Sequence, residues 1–232
     1  MIYEKIVTGT FIKRPNRFTA IVVINGNKET VHVKNTGRCQ ELLLPGAKVI
    51  LEDRSHILTR KTKYSLIAVW KGKMLVNIDS QVPNQVVYEA VKAKQIPTLT
   101  NLTHLKREVS FGNSRFDLYF ESTKEKGFIE VKGVTLETDS IAMFPDAPTS
   151  RGLKHVLEMI QVVEQGYRGI IFFLVQMKGP KLFQPNLEMD RAFTQALQKA
   201  KSSGVEIMVY DSCVLANSIQ LDEQLVYKIM CA

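Results

Sequence analysis

The feature that most constrains the fold is a run of short apolar segments in the first third of the chain, each followed by a tight-turn sequence. Asn25-Gly26-Asn27 is a strong hairpin signal, because these residues tolerate the positive φ angles that short turns need. Lys71-Gly72-Lys73 marks the last such turn. The predicted strands are residues 7–12, 18–24, 30–33, 49–51, 64–70 and 74–78. This many short strands in residues 1–81 predict a small barrel, and an OB-like barrel fits the length.

The pattern changes near residue 82, where helical and strand periodicities begin to alternate. We predict a helix opened by Pro83 and further helices over residues 149–166 and 188–203. The predicted strands are residues 107–111, 115–121, 128–132, 169–175 and 205–210. Strand–helix–strand order predicts a parallel pair with a right-handed crossover. Residues 213–232 fit either a hairpin or a terminal strand. The fold class is therefore α+β/α/β, with an OB-like β-barrel domain (1–81) and a mixed-sheet α/β domain (82–232).

Composition excludes several classes of protein. Hydrophobic residues make up 45% of the chain, which is typical of a globular domain. The apolar run at 169–175 is too short to span a bilayer, and the N-terminus lacks a signal peptide's apolar run. We therefore expect a cytoplasmic protein without membrane contact. Cys39, Cys213 and Cys231 lack metal-ligand spacing and are expected to be reduced thiols. The net charge of +8 favours a polyanionic partner such as nucleic acid, although it also serves solubility.

Two of the predicted strands carry polar residues whose spacing is suited to catalysis or metal binding. Side chains alternate between the faces of a strand, so Glu130 and Lys132 share one face. If strand 115–121 pairs with strand 128–132 as a hairpin, Asp117 can lie near Glu130. The same alternation predicts one opposite face for three apolar residues of the first strand: Phe116, Leu118 and Phe120.

Two carboxylates beside a lysine suit a divalent-metal centre. Asp117 and Glu130 offer hard oxygen ligands for Mg²⁺ or Mn²⁺, and the carbonyl of Val131 could add another. Lys132 could orient or deprotonate an attacking water and offset charge in the transition state. The spacing is that of the PD-(D/E)xK nucleases. Taken alone the pattern is common, and a salt-bridged polar strand face is its more frequent explanation.

The helix predicted after residue 149 has two distinct faces. Its apolar stripe consists of Leu153, Val156, Leu157, Ile160 and Val163, and its polar side carries Arg151, Lys154, His155, Glu158 and Gln165. The polar side is either a solvated surface or a set of groups that hold a scissile phosphate or steer a water. Thr149 or Ser150 is the expected N-cap, and Asp146 is either a turn residue or a further contact at the site. Glu89, on the first helix, could add a carboxylate.

Several segments resemble the sugar fermentation stimulation protein A family across nearly the whole chain. They are 35–38 (NTGR), 41–46 (ELLLPG), 115–117 (RFD), 129–136 (IEVKGVTL), 144–155 (FPDAPTSRGLKH) and 204–207 (GVEI). The resemblance implies an OB-like domain, a PD-(D/E)xK nuclease-like domain, DNA binding and a cytoplasmic prokaryotic setting. It also implies Asp117 and Glu130 as metal ligands, Lys132 as the catalytic lysine and Glu89 as a helix carboxylate of the superfamily. Phe116 stands where the superfamily motif has proline.

The leading prediction from the sequence is a metal-dependent nuclease acting on single- or double-stranded DNA. The candidate phosphate contacts are Arg14, Arg17, Arg38, Arg115, Arg151 and Lys154. Phe11 and Phe18 either stack on bases or fill the barrel core. A homodimer would supply the two sites that cutting both strands requires. Two alternatives stay open: a non-cleaving regulatory DNA-binding protein linked to sugar metabolism, and a small-ligand binder built on the OB-like barrel.

Overall fold

The first five strands form a closed barrel. They are β1 (Ile6–Asn16), β2 (Thr19–Ile24), β3 (Asn27–Val33), β4 (Lys48–Asp53) and β5 (Tyr64–Lys71). The strand order is β3-β2-β1-β4-β5, and a parallel contact between β3 and β5 closes the ring. A sixth strand, β6 (Met74–Asn77), pairs with β5 across a turn at Gly72, whose φ is +60°. The computed structural model describes residues 1–35 and 37–229 and confirms the predicted barrel.

Alternating burial fills the barrel. In β2, Ala20, Val22 and Ile24 are buried and the residues between them are partly exposed, as the period of a strand requires. Phe11 is 3% exposed and belongs to this core, whereas Phe18 is 52% exposed. The two aromatic residues that the sequence left undecided therefore have different roles.

The second domain is built on a six-stranded mixed sheet. Its strands are β7 (Leu102–Phe111), β8 (Ser114–Ser122), β9 (Lys126–Val134), β12 (Arg168–Val175), β14 (Glu206–Leu215) and β15 (Ser218–Gln224). They lie in the order β15-β14-β12-β9-β8-β7. The central strands β9, β12 and β14 are parallel, and the three outer pairings, β14–β15, β8–β9 and β7–β8, are antiparallel. The mixed sheet and the parallel β12–β14 pair are thus as predicted. Within the ambiguous C-terminal segment, Ser218–Gln224 forms a hairpin with β14, and residues 230–232 lie outside the described residues.

Helices cover both faces of this sheet. The helix α1 (Val82–Lys92) packs its valines on the face that carries Ile129, Val131 and Phe172. The helices α2 (Ser150–Glu164) and α3 (Arg191–Ser202) pack on the opposite face, which carries Phe173. No helix in the described part of the chain is long and apolar enough to cross a membrane.

A second, smaller sheet was not predicted. It contains β10 (Leu136–Thr138), β11 (Ile141–Phe144), β13 (Leu182–Pro185) and β16 (Val226–Tyr227), in the order β10-β11-β13-β16. Strands this short carry no recognisable periodicity. The predicted start of the third helix at residue 188 was also wrong, because Asp190 caps the helix by accepting the N–H of Phe193 at 2.9 Å. Cys39 and Cys213 are free thiols, while Cys231 and Thr36 lie outside the described residues.

A buried polar network joins the two domains. The side-chain N–H of Gln176, at the end of β12, donates to Asn77 Oδ1 (3.0 Å) and to the carbonyl of Asp79 (3.2 Å). In return, the backbone N–H of Asn77 donates to the Gln176 carbonyl (2.9 Å). Lys34 of the barrel donates to Asp79 Oδ2 (2.7 Å). Three residues of this network, Asn77, Asp79 and Gln176, are at least 98% buried. These bonds fix how the barrel sits against the sheet.

Candidate metal centre

The carboxylate of Asp117 lies where two strands of the sheet separate. The ladder between β8 and β9 runs from Glu121 opposite Lys126 to Leu118 opposite Ile129 and ends there. Beyond it, Asp117 Oδ2 accepts the backbone N–H of Val131 at 2.8 Å, in place of a ladder bond. The other oxygen, Oδ1, accepts the side-chain amide of Asn84, in the first turn of α1. The gap between the strands therefore holds the carboxylate in a fixed position.

The apolar residues of β8 do not share one face, and that expectation was wrong. Phe116 belongs to the core under α2, with its ring 5.5 Å from that of Phe128, whereas Leu118 and Phe120 belong to the core under α1. On β7, Glu108 lies between Arg107 and Val109, which pair with Leu118 and Phe116, and it has a φ of +57°. That conformation is uncommon outside glycine and interrupts regular alternation. The change of face occurs at Asp117 itself.

Glu130 has one satisfied and one unsatisfied oxygen. Its Oε1 accepts from Lys132 Nζ at 2.6 Å and pairs with His155 Nδ1, which reaches it from α2. Its Oε2 is buried and has no hydrogen-bond partner among the described residues. The glutamate is only 3% exposed. A buried carboxylate oxygen without a donor is unfavourable, so the geometry leaves an acceptor ready for a cation.

The two carboxylates differ electrostatically. Burial raises the pKa of Asp117 to about 6, and the nearby charge of Glu130 adds to that rise. Burial also opposes ionisation of Glu130, but the hydrogen bond from His155 and the charge of Lys132 hold the pKa of Glu130 below its ordinary value. A divalent cation between the two acids would relieve both the burial penalty and their mutual repulsion.

The predicted faces of α2 require correction. His155, expected among the solvated polar residues, is 7% exposed and contacts Glu130. Leu157, expected in the apolar stripe, is 40% exposed. The buried face instead includes Val156, Met159 and Ile160. Thr149 is the N-cap, since its hydroxyl accepts the N–H of Gly152 at 3.0 Å.

An open cavity of about 500 Å³ lies beside this cluster and carries positive charge. It is lined by Asn113, Ser114, Arg115, Ser150, Arg151, Lys154 and His155. Lys154 donates to the carbonyl of Asn113 at 3.0 Å, and Arg115 pairs with Glu108 at 2.8 Å. The side chain of Arg151 makes no hydrogen bond or ion pair within the described ranges. Because His155 both lines the cavity and contacts Glu130, these cations flank the carboxylates.

Two predicted acids have other partners. Glu89 accepts from the N-terminal amine of Met1 (2.6 Å) and from Gln85 (2.6 Å), so the structure does not bring it to Asp117. Glu158 accepts from the hydroxyl of Ser114 and lies 3.7 Å from Lys154 Nζ. The residue of α1 that does reach Asp117 is Asn84, which sequence reasoning missed. A single asparagine near a helix start gives no signal of its own.

The barrel arginines divide into one structural residue and two exposed cations. The guanidinium of Arg14 donates to the carbonyls of Gly37 (2.7 Å), Arg38 (2.8 Å), Arg17 (2.7 Å) and Asn35. The expectation that Arg14 contacts phosphate is corrected accordingly: its terminal nitrogens hold the loop around residue 37. Arg17 and Arg38 are exposed and line a groove of about 460 Å³, with Arg17 stacked 5.4 Å from the ring centre of Phe18.

No group of three histidine, cysteine or acidic side chains is placed to hold one metal ion, as far as the structure describes the chain. A cation here would therefore rely on Asp117 and Glu130, supplemented by backbone oxygen or water. Val131, whose carbonyl was the predicted third ligand, lies between the two acids: its N–H is bound by Asp117, and it pairs with Phe172 on β12.

These features define a class of two-domain protein in which an OB-type barrel precedes a restriction-endonuclease-like α/β domain. Residues 12–78 match the family model of the SfsA N-terminal OB domain, and residues 81–218 match that of the Sugar fermentation stimulation protein RE domain. The chain belongs to the sugar fermentation stimulation protein family, SfsA.

Relatives match over nearly the full length. The sugar fermentation stimulation protein homolog of Alkaliphilus oremlandii is 61% identical over 228 residues, which cover 97% of each chain. That of Clostridium botulinum (strain Langeland) is 52% identical over 224 residues, covering 95% of this chain and 96% of the relative. The structure of Pyrococcus furiosus SfsA in complex with Ca²⁺ superposes with a TM-score of 0.90 at 28% identity, covering 99% of this chain and 98% of that one.

Proposed function

We propose that this protein is a nuclease that hydrolyses phosphodiester bonds in DNA with the help of a divalent metal ion. The observation that carries the proposal is the state of Glu130. One of its oxygens is held by Lys132 and His155, while the other is buried and has no partner among the described residues. The Glu130 carboxylate as a whole is close enough to Asp117 for the two charges to interact. Such an arrangement stabilises little by itself, but it is suited to receive a cation.

Asp117 and Glu130 would hold Mg²⁺ or Mn²⁺, with the Val131 carbonyl as a third candidate ligand. Both metals prefer hard oxygen ligands and keep positions for water and phosphate. The Pyrococcus furiosus relative was solved with Ca²⁺, another cation of this kind. When bound, such a metal ion lowers the pKa of water and stabilises negative charge on a phosphate.

The residues around the carboxylates would position the substrate. Lys132 can donate to the attacking water or to the developing charge on the phosphate. His155 orients Glu130 from α2, and Glu158 restrains Lys154 and Ser114. The unpaired Arg151, with Arg115 and Lys154, would bind backbone phosphates. We assign Glu89 no role in this reaction, because it is bonded to Met1 and Gln85.

A DNA-binding protein that does not cut is the second candidate. It is favoured by the net charge of +8 and by the exposed cations of the barrel groove, since both serve binding whether or not cleavage follows. A small-ligand binder would differ from both candidates, because its affinity for DNA would not depend on salt.

Cleavage of labelled single- and double-stranded DNA with Mg²⁺ or Mn²⁺ tests the proposal. We expect wild-type protein to cut, and Lys132→Ala to reduce the rate by about 100-fold or more, the usual effect of losing a group that stabilises transition-state charge. Lys124→Ala, at an exposed turn, is the matched control and should cut normally. If wild type and Lys124→Ala both bind DNA in a salt-dependent way but neither cuts, the binding-protein candidate is the correct one.

A further inference from the structure

A polar cavity of about 320 Å³ lies where the barrel meets the second domain. Its polar lining comes from both sides of the junction: Asn35, Ser80, Thr135, Asp146, Thr149 and Gln176. The volume is in the range of small-molecule sites, about 300 to 1,000 Å³. Phe144 and Pro145 supply an apolar wall. The cavity is therefore able to hold a flat, polar group such as a nucleobase.

The cavity adjoins the candidate metal centre on two sides. Gly133 lines the cavity and directly follows Lys132 in β9. Thr149 lines it as well, and the next two residues, Ser150 and Arg151, line the cationic cavity beside Glu130. Since successive Cα atoms are only about 3.8 Å apart, a strand whose phosphate contacts Arg151 can place a neighbouring nucleoside here.

The chemistry of the cavity favours a ligand that donates hydrogen bonds. The carboxylate of Asp146 lies against Gly37, where an added Cβ would come within 2.5 Å of Oδ2. Burial raises the pKa of Asp146, and hydrogen bonds to the backbone and the charge of Arg14 offset this only in part. The side-chain nitrogen of Gln176, Nε2, donates to Asn77 and Asp79. Its side-chain oxygen, Oε1, which lies close to Gly133, therefore remains as a second acceptor.

We propose that this cavity binds the nucleoside beside the scissile phosphate and that Asp146 selects bases that carry an amino group. The assignment rests on the proposed function, because the ligand is part of a nucleic-acid substrate. An ionised carboxylate can only accept hydrogen bonds. Adenine, cytosine and guanine each present an amino donor, whereas thymine presents one ring N–H between two carbonyl oxygens that the carboxylate repels. A site built to receive a donor discriminates strongly against a ligand that lacks it.

Calorimetric titration with the deoxynucleotides dGMP, dAMP, dCMP and TMP, in the presence of Ca²⁺, tests the assignment. These monophosphates contain no phosphodiester bond, so binding is measured without turnover. We expect wild type to bind the three amino-bearing nucleotides at least about tenfold more tightly than TMP. In Asp146→Asn, which has nearly the same shape, the difference should fall below about twofold. Asp139→Asn is the matched control: it lies at an exposed turn with φ of +52°, which asparagine tolerates, and it should keep the wild-type order.

Equal binding of TMP and the other nucleotides by wild type would overturn the assignment, even if the Asp146 variant did not fold. So would an unchanged order in Asp146→Asn. The results that would contradict the nuclease proposal differ from those that would contradict the nucleoside site. If the protein discriminates through Asp146 but cuts no DNA, the nucleoside site stands and the nuclease does not. If cutting depends on Lys132 while no base is preferred, the nuclease stands and this site does not.

Discussion

Replacing Asp117 with asparagine should stabilise the metal-free protein while it removes a proposed metal ligand. Burial, reinforced by the charge of Glu130, raises the pKa of Asp117 to about 6. An asparagine keeps an oxygen that can accept the N–H of Val131. The amide of Asn84 can turn over so that its own oxygen accepts from the new side chain. The substitution thus removes a buried charge and keeps the polar contacts.

The size of the effect follows from the pKa of Asp117 in the two states. Because the folded-state pKa lies above the ordinary 3.8, the ionised carboxylate destabilises the fold. This cost is absent below pH 3.8, grows as the pH rises and is complete above about pH 6. Each pKa unit corresponds to about 1.4 kcal/mol, so the rise is worth roughly 3 kcal/mol. Subtracting about 1 kcal/mol for weaker neutral hydrogen bonds leaves roughly 2 kcal/mol, or about 4–8 °C in Tm for a chain of this size.

Thermal unfolding of both proteins in a chelator, at pH 4 and at pH 8, measures this directly. The variant should melt higher than wild type at pH 8 and at nearly the same temperature at pH 4. Carboxyls that do not interact with Asp117, such as Glu137, have the same altered pKa in both proteins and cancel in the difference. At pH 8, Mn²⁺ should then raise the Tm of wild type only. A variant that loses stability relative to wild type as the pH rises would refute the reasoning.

Two further substitutions test the surroundings of the carboxylates. His155→Ala removes the group that orients Glu130 and should weaken Mn²⁺ binding by about 10- to 100-fold in calorimetry; unchanged affinity would mean that His155 only fills space. Arg151→Ala should weaken DNA binding uniformly across sequences and lower the slope of log affinity against log salt by about 1, as expected for one lost phosphate contact. An unchanged slope would remove Arg151 from the DNA-binding surface.

What the sequence could predict was local. The shared face of Glu130 and Lys132 follows from the period of a single strand, and the barrel follows from turn signals that act over a few residues. His155 could not be assigned in the same way, because its burial depends on a contact with Glu130, 25 positions away. Arg14 could not either, since its backbone acceptors come together only when two loops meet.

The short strands illustrate the same limit. The strand β11 pairs with β10 on one side and with β13, about forty residues later in the chain, on the other. Its four residues form a strand only because those neighbours are present. The Asn84 contact with Asp117 likewise joins a helix to a strand gap that no local pattern describes. Tertiary contacts, rather than propensity, decide these elements.

Because Asn77 and Gln176 hydrogen-bond to each other, the sequences of the two domains are expected to depend on each other in evolution. Each side supplies both a donor and an acceptor to the other, and both side chains are almost fully buried. Separating the barrel from its partner would leave a buried glutamine amide and the Asp79 carbonyl unsatisfied, or exposed to water. A chimaera that takes its barrel from one relative and its sheet from another keeps this interdomain contact only if it contains both Asn77 and Gln176. Recombination at the domain boundary is therefore constrained by two side-chain amides that lie outside the candidate metal centre.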